Sequence, residues 1–284
     1  MKVLSKFISG IAACLAIVGC SGVGLLNASV PHSGYSLHKD IAYDEGDRRM
    51  LDIYVPDDLK SPAPVIVFFY GGSWKMGSKD DYRFAGQAFA SKGYITVVAD
   101  YRLYPKNYFP AFMHDGASTF AWVHEHIGEY NGDAKNIFLA GHSAGAHIAM
   151  LLTLDNQYLK AAHAKREWIK GTIGIAGPYD FLPFTDPAVI GVFSKVDEKT
   201  TQPINYVSKN QPPILLLTGD KDEDVLPRNS KNLAAKLEEY NDPVELKIYP
   251  DVAHIGIVLS LAHGFRYKAP LLDDIDAFIA THRD

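Results

Sequence analysis

Short apolar runs recur along this 284-residue chain at intervals that fit an alternation of buried strands and helices. After Pro64 the run is Val65-Ile66-Val67-Phe68-Phe69-Tyr70, apolar or aromatic throughout. A run so short and unbroken predicts a strand buried on both faces of a parallel sheet. Comparable segments stand at 94–98, 137–140, 169–175, 213–217 and 244–249. Between them, apolar spacing predicts helices near 81–92, 113–126, directly after 143, near 230–240 and near 271–279. A hairpin-like pair, 40–43 and 49–55, precedes the series, and Asp52-Ile53-Tyr54-Val55-Pro56 alternates like an edge strand. The pattern predicts the α/β class, a mostly parallel sheet covered by helices on both faces.

In such sheets polar chemistry collects where loops leave the carboxyl ends of strands. Gly141-His142-Ser143-Ala144-Gly145 follows one apolar run and leads into His147-Ile148-Ala149-Met150-Leu151-Leu152, so it reads as strand, sharp turn and helix. Glycines two residues either side of a serine permit the strained turn of a nucleophile elbow and free its hydroxyl. The five-residue pattern also arises by chance, so its meaning depends on the neighbouring loops. Gly71-Gly72-Ser73 ends the strand that starts after Pro64. The N–H groups of Gly72, Ser73 and Ala144 are the expected donors of an oxyanion hole; the plainer reading is a Gly-Gly turn.

Thr218-Gly219-Asp220-Lys221-Asp222-Glu223-Asp224-Val225 offers four carboxylates, and a charge run is often just a solvated loop. Asp222, three residues past Gly219, is the expected partner of a catalytic histidine, with Asp220 and Asp224 as rivals. His254, shortly after the strand at 244–249, is the expected base on a loop, with His263 as the alternative. His142 and His147 are expected to pack or bond locally, because an elbow turns its flanking side chains away from the nucleophile. His124-Glu125-His126 predicts no metal site, since alternate residues of a helix face different ways and the pattern is not HExxH.

The N-terminus bears on location. Lys2 and Lys6 precede an apolar segment, 7–18, too short to span a bilayer, so residues 1–19 read as a signal peptide. Ile17-Val18-Gly19-Cys20 resembles the lipobox of bacterial lipoproteins, which implies a lipid on Cys20 and membrane contact through it. The implied place is the bacterial cell envelope, lipid-anchored on the outer membrane or facing the periplasm; Ser21, where some sorting signals carry aspartate, favours the former. Residues 20–36 are small and polar enough for a tether, leaving 37–284 as one domain. Removal of the leader takes the formal net charge from −5 to −7. That acidic balance argues against nucleic acid as a partner. Cys14 goes with the leader and Cys20 with the lipid, which excludes a disulfide and cysteine chemistry.

Taken together, Tyr70-Gly71-Gly72-Ser73-Trp74, Asp100-Tyr101-Arg102-Leu103-Tyr104-Pro105, Phe109-Pro110-Ala111 with Asp115, and Gly141-His142-Ser143-Ala144-Gly145-Ala146-His147 resemble the esterase and lipase branch of the α/β-hydrolase fold. The similar groups are hormone-sensitive-lipase-like esterases, feruloyl and acetyl-xylan esterase-like carboxylesterases, and kynurenine formamidases. The resemblance spans about 41–284. It implies a triad in the chain order Ser143, Asp222, His254, an oxyanion hole from Gly72, Ser73 and Ala144, and no metal or organic cofactor. It implies a small ester of short acyl chain as substrate. An arylformamidase or peptidase-type amide hydrolase, or a non-catalytic ligand-binding surface lipoprotein, are the alternatives. Tyr70 stands where those families open the glycine loop with histidine, and Thr218 where histidine is common before Gly219. Tyr70 is expected to brace the loop through its hydroxyl. A small cap is expected at about 180–212, whose Phe181, Phe184 and Phe193 either line a pocket or pack the cap down. Asp180 and Asp186 are expected helix caps.

Overall fold

The computed structural model describes residues 24–283. Its strands are β1 (Tyr35–Ala42), β2 (Met50–Pro56), β3 (Ala63–Phe69), β4 (Ile95–Ala99), β5 (Gly132–His142), β6 (Ile169–Ile175), β7 (Ile214–Gly219) and β8 (Val244–Tyr249). The helices that matter below are α1 (Arg83–Ala90), α2 (Ala111–His126), α3 (Ala144–Leu154), α4 (Pro187–Phe193), α5 (Arg228–Glu239), α6 (His254–Leu259) and α7 (Leu271–His282). The strands form one sheet in the order β1-β2-β4-β3-β5-β6-β7-β8. β1 with β2 and β2 with β4 are antiparallel, while the remaining neighbours are parallel. This is the mostly parallel, helix-covered sheet that the apolar runs predict.

Period-two alternation explains how one strand serves two helical layers. Ile214 and Leu216 of β7 join a cluster with Leu233 and Leu237 of α5. Leu215 and Leu217 face the larger core that holds Leu271, Ile275 and Phe278 of α7. Helix α3, which starts directly after Ser143, is buried along its whole length. Its Ala146, Met150 and Leu154 enter the smaller cluster and its Ile148, Leu151 and Leu152 the larger one, as a helix that is apolar all round requires. Such burial fixes the start of α3, and hence the elbow, against the middle of the sheet.

Some boundaries differ from expectation. The first strand begins at Tyr35, and its register with β2 shifts between His38 and Ile41, where Asp40 has φ +56°. The expected helix at 81–92 is a 3-10 turn, Lys79–Tyr82, followed by α1. The described part of the expected tether lies on the body rather than free of it. Val30 is buried, and the Asn27 side-chain amide donates to the carbonyls of Asp80 and Asp81. The expected signal peptide, 1–19, and the lipidation site Cys20 lie outside the described residues.

Candidate active site

The parallel strands carry their loops to one edge, and the geometry there starts with the elbow. Ser143, between β5 and α3, has φ +53° and ψ −120°, an unusual conformation for a non-glycine residue. It is held by packing and by two bonds: its N–H donates to Ile175 O at 2.9 Å, and its carbonyl accepts from His147 N–H at 3.1 Å. Glycine is required at 145 because a Cβ there would lie 2.0 Å from Phe69 O. The start of α3 thus passes directly over the end of β3, and Ser143 stands half-buried at the apex.

Two further loops are laced to each other. Asp220 N–H donates to Tyr249 O, Lys221 N–H to Val252 O, and Asp251 N–H to the Asp220 carboxylate. A Cβ on Gly219 would meet Val252 O at 1.9 Å, so only glycine admits this approach. The lacing sets His254 against Asp222. His254 Nδ1 lies 2.8 Å from Asp222 Oδ2, and His254 Nε2 lies 2.9 Å from Ser143 Oγ. A carboxylate only accepts, which places the proton on Nδ1 and leaves Nε2 to accept from the serine hydroxyl. The other Asp222 oxygen accepts the N–H groups of Asp224 and Val225. Both Asp222 and His254 are buried.

The structure therefore joins Ser143, Asp222 and His254 and leaves the rivals outside this line. Asp220 caps Asp251, Asp224 is exposed, and exposed His263 begins the 3-10 turn His263–Lys268. Two positional expectations are corrected. His254 is the first residue of α6, not a loop residue, because Ile257 and Val258 bury a short helical turn behind it. Asp180 caps nothing: its carboxylate accepts from Asn232, since no helix starts there, whereas Asp186 does cap α4 through Ala188 N–H. Asp222, Asp224 and His254 come within 4.8 Å of one another, a spacing a cation tolerates. Both His254 nitrogens are already engaged, so this donor set fits an ion poorly.

The glycine loop crosses the serine, with a Cβ on Gly71 falling 3.1 Å from Ser143 Cβ. Gly72 (φ +132°), Ser73 (φ +52°) and Trp74 (φ +58°) curl it so that Lys75 and Met76 N–H both donate to Gly72 O. Gly71 N–H donates to Tyr82 Oη at 3.2 Å. Among the described residues, no protein acceptor takes the N–H of Gly72, Ser73 or Ala144. Ala144 is the first residue of α3, where an unpaired N–H is normal and the helix dipole favours negative charge.

Tyr70 braces this loop from below. Its ring stacks between Tyr101, at 4.6 Å, and Tyr82, at 5.6 Å. Its hydroxyl donates to Asp100 Oδ1 at 2.9 Å and accepts from Arg48 Nη2, while Tyr101 Oη donates to Tyr70 O. Burial pushes the Asp100 carboxyl up, against the pull of the Lys79 N–H and Arg48. Sequence reading missed Arg48 and Tyr82 here, although Tyr101 and Asp100 sit in a motif it noted. The cap resolves toward packing: Phe193 is buried against Trp74 at 4.9 Å, with Phe181 and Phe184 half-buried around it. His147 lies in the same aromatic group and donates from Nε2 to Thr201 O at 2.7 Å; burial brings its pKa down to about 4.

A parallel sheet with a serine elbow after β5, an acid after β7 and a histidine after β8 defines an α/β-hydrolase fold. The chain belongs to the BD-FAE family, whose model matches residues 51–237. Over 242 residues it is 28% identical to a probable isoprenylcysteine alpha-carbonyl methylesterase of Oryza sativa subsp. japonica, covering 78% of this chain. The chain spans only 58% of that relative's length. It is 26% identical to a kynurenine formamidase of Salmo salar, with 82% of this chain and 80% of the relative covered. Among solved structures, a truncated carbohydrate esterase from gut microbiota superposes with TM-score 0.77 at 20% identity, over 89% of this chain and 98% of that one.

Proposed function

We propose that the protein is a serine hydrolase of small carboxylic esters with short acyl groups, working through an acyl-enzyme intermediate. The observation that carries this reading is the unbroken line Asp222–His254–Ser143, with separations of 2.8 and 2.9 Å, ending beside the unused N–H groups of Gly72, Ser73 and Ala144. Ser143 Oγ attacks the ester carbonyl while His254 Nε2 takes its proton, and Asp222 stabilises the imidazolium. The carbonyl oxygen becomes an alkoxide that the backbone donors hold. His254 then returns the proton to the departing alkoxide oxygen, leaving the acyl group on Ser143. Water, deprotonated by His254, then attacks the acyl carbonyl; the bond to Ser143 Oγ breaks, His254 returns the proton to Oγ, and the acid departs. His254 carries every proton of this scheme and the backbone N–H groups only hold the oxyanion, so the proposed steps invoke no cofactor.

Esterases among the relatives support the ester bond, and the tight aromatic packing of Trp74, Phe181 and Phe193 beside the donor loop supports a small acyl group. A second reading, amide cleavage, rests on the Salmo salar relative, which the chain matches over more of its length than it does the rice esterase. A panel of p-nitrophenyl esters of graded acyl length, acetylated sugars, feruloyl esters and N-formylkynurenine separates the two. The expected result is kcat/KM highest for the shortest acyl groups, falling at least about 10-fold toward octanoyl. Preferential turnover of N-formylkynurenine replaces the ester with the amide. Failure of a fluorophosphonate probe to label Ser143 returns the protein to a non-catalytic binding role.

We also propose that Cys20 carries a lipid that holds the domain in the bacterial cell envelope. The support is the residue pattern at 17–20. Among the described residues no helix is long and apolar enough to cross a membrane. Cys20→Ala is expected to move the protein from the membrane pellet to the soluble fraction; unchanged pelleting overturns the assignment.

A further inference from the structure

We propose that His142 and Tyr82 are positioning residues, forming a directed hydrogen-bond relay that ties the donor loop to the backbone of His254. The inference rests on the hydrolase reading above and adds to it residues that touch neither substrate nor reacting atoms. His142 is buried, and its Nε2 lies 3.2 Å from the carbonyl oxygen of His254. A carbonyl only accepts, so Nε2 carries a proton and donates. In the neutral ring Nδ1 is then bare, and it lies 3.3 Å from Tyr82 Oη, which donates to it. Tyr82 Oη in turn accepts Gly71 N–H at 3.2 Å. The order is Gly71 N–H to Tyr82 hydroxyl to His142 to His254 carbonyl, with each hydrogen used once.

Two ends of the reaction geometry meet in this relay. Gly71 immediately precedes the donors Gly72 and Ser73, and a Cβ on it would fall 2.8 Å from His142 Nδ1. His254 is the residue whose ring must reach Ser143. Orientation errors of about 1 Å in such groups lower rates by about 100-fold. The direction of the relay also requires His142 to stay neutral. The titratable groups facing it are Tyr82, from the 3-10 turn before α1, and His254, from α6, whose ring centroid lies 4.9 Å away. Neither supplies a negative charge: burial holds the Tyr82 phenol up at about 12, and His254 becomes cationic during turnover. Burial and the His254 charge accordingly keep the His142 pKa well below the usual imidazole range.

The test uses kcat and KM for p-nitrophenyl acetate together with side-chain 15N NMR of histidine-labelled protein. His142→Phe is expected to lower kcat about 30- to 100-fold with KM within about twofold, and Tyr82→Phe about 10-fold. The double variant is expected to be no slower than His142→Phe, because both cut one relay. His142→Gln, whose amide both donates and accepts, is expected to recover most of the loss. NMR is expected to show His142 as the neutral Nε2–H tautomer from about pH 5.5 to about pH 8.5, the range in which an unshifted imidazole loses its charge. An active wild type overturns the relay if His142→Phe keeps kcat within about twofold, if the two losses multiply, or if His142→Gln is no better than His142→Phe. A titrating or Nδ1–H His142 overturns it without reference to activity. If His142→Phe fails to fold, a Tyr82→Phe variant with unchanged kcat serves as the overturning result. A wild type that cleaves no ester or amide is the separate failure of the hydrolase reading.

Discussion

Ser143→Ala is expected to lower turnover of a short p-nitrophenyl ester at least about 10,000-fold, with the melting temperature changed by no more than about 4 °C. The hydroxyl makes one hydrogen bond, to His254 Nε2, and such a bond contributes about 1 kcal/mol to folding. The backbone bonds that shape the elbow, Ser143 N–H to Ile175 O and His147 N–H to Ser143 O, survive the change. His254→Ala should lose turnover to a similar degree, because the proton from the serine then has no acceptor. His263→Ala should stay within about twofold of the wild type, since its side chain stands exposed on a separate 3-10 turn. Steady-state kinetics on the three variants, with melting curves beside them, is the measurement. Undiminished hydrolysis by Ser143→Ala removes the nucleophile and the reading built on it.

The parts of this site that sequence reading located are those whose signal is local. Gly141 and Gly145 announce the elbow around Ser143 because a Cβ on Gly145 would meet the end of β3 and one on Gly141 would meet the Gly145 backbone, and both constraints are written within five residues. The same holds for Asp222, three residues beyond the close approach of Gly219 to Val252. What was not legible depends on residues distant in sequence that packing brings together. Arg48 reaches Tyr70 and Asp100, and Tyr82 reaches Gly71 and His142, across separations that no periodicity encodes. The replacement of histidine by Tyr70 was visible as a departure, but its meaning was not. A tyrosine there stacks between two others and bonds to Asp100 and Arg48, which a single motif position cannot reveal. The tether misled for a related reason: composition at 24–36 is that of a linker, yet Asn27 and Val30 find partners on the body.

Gly145→Ala tests whether the elbow is a property of the whole sheet. The added methyl would fall 2.0 Å from Phe69 O, 2.4 Å from Phe69 C and 2.5 Å from Tyr70 O, all backbone atoms at the end of β3. No side-chain rotation relieves that clash, so either α3 moves away from the sheet or β3 yields. α3 is buried along its length and feeds both core clusters, which makes its displacement costly. Forcing extra volume into a packed core costs about 1–3 kcal/mol, and contact with fixed backbone puts this case at or above the upper end. The melting temperature is therefore expected to fall by about 10 °C. Gly128→Ala is the control, since a Cβ there meets nothing within 4 Å, and its melting temperature should be unchanged. The same displacement carries Tyr70 and the donor loop away from Ser143, so the folded fraction of Gly145→Ala should lose at least about 100-fold in kcat. A Gly145→Ala protein that melts and turns over like wild type would mean that β3 and α3 do not hold each other at the elbow. The placement of Ser143 beside the donors would then have to come from the loops alone.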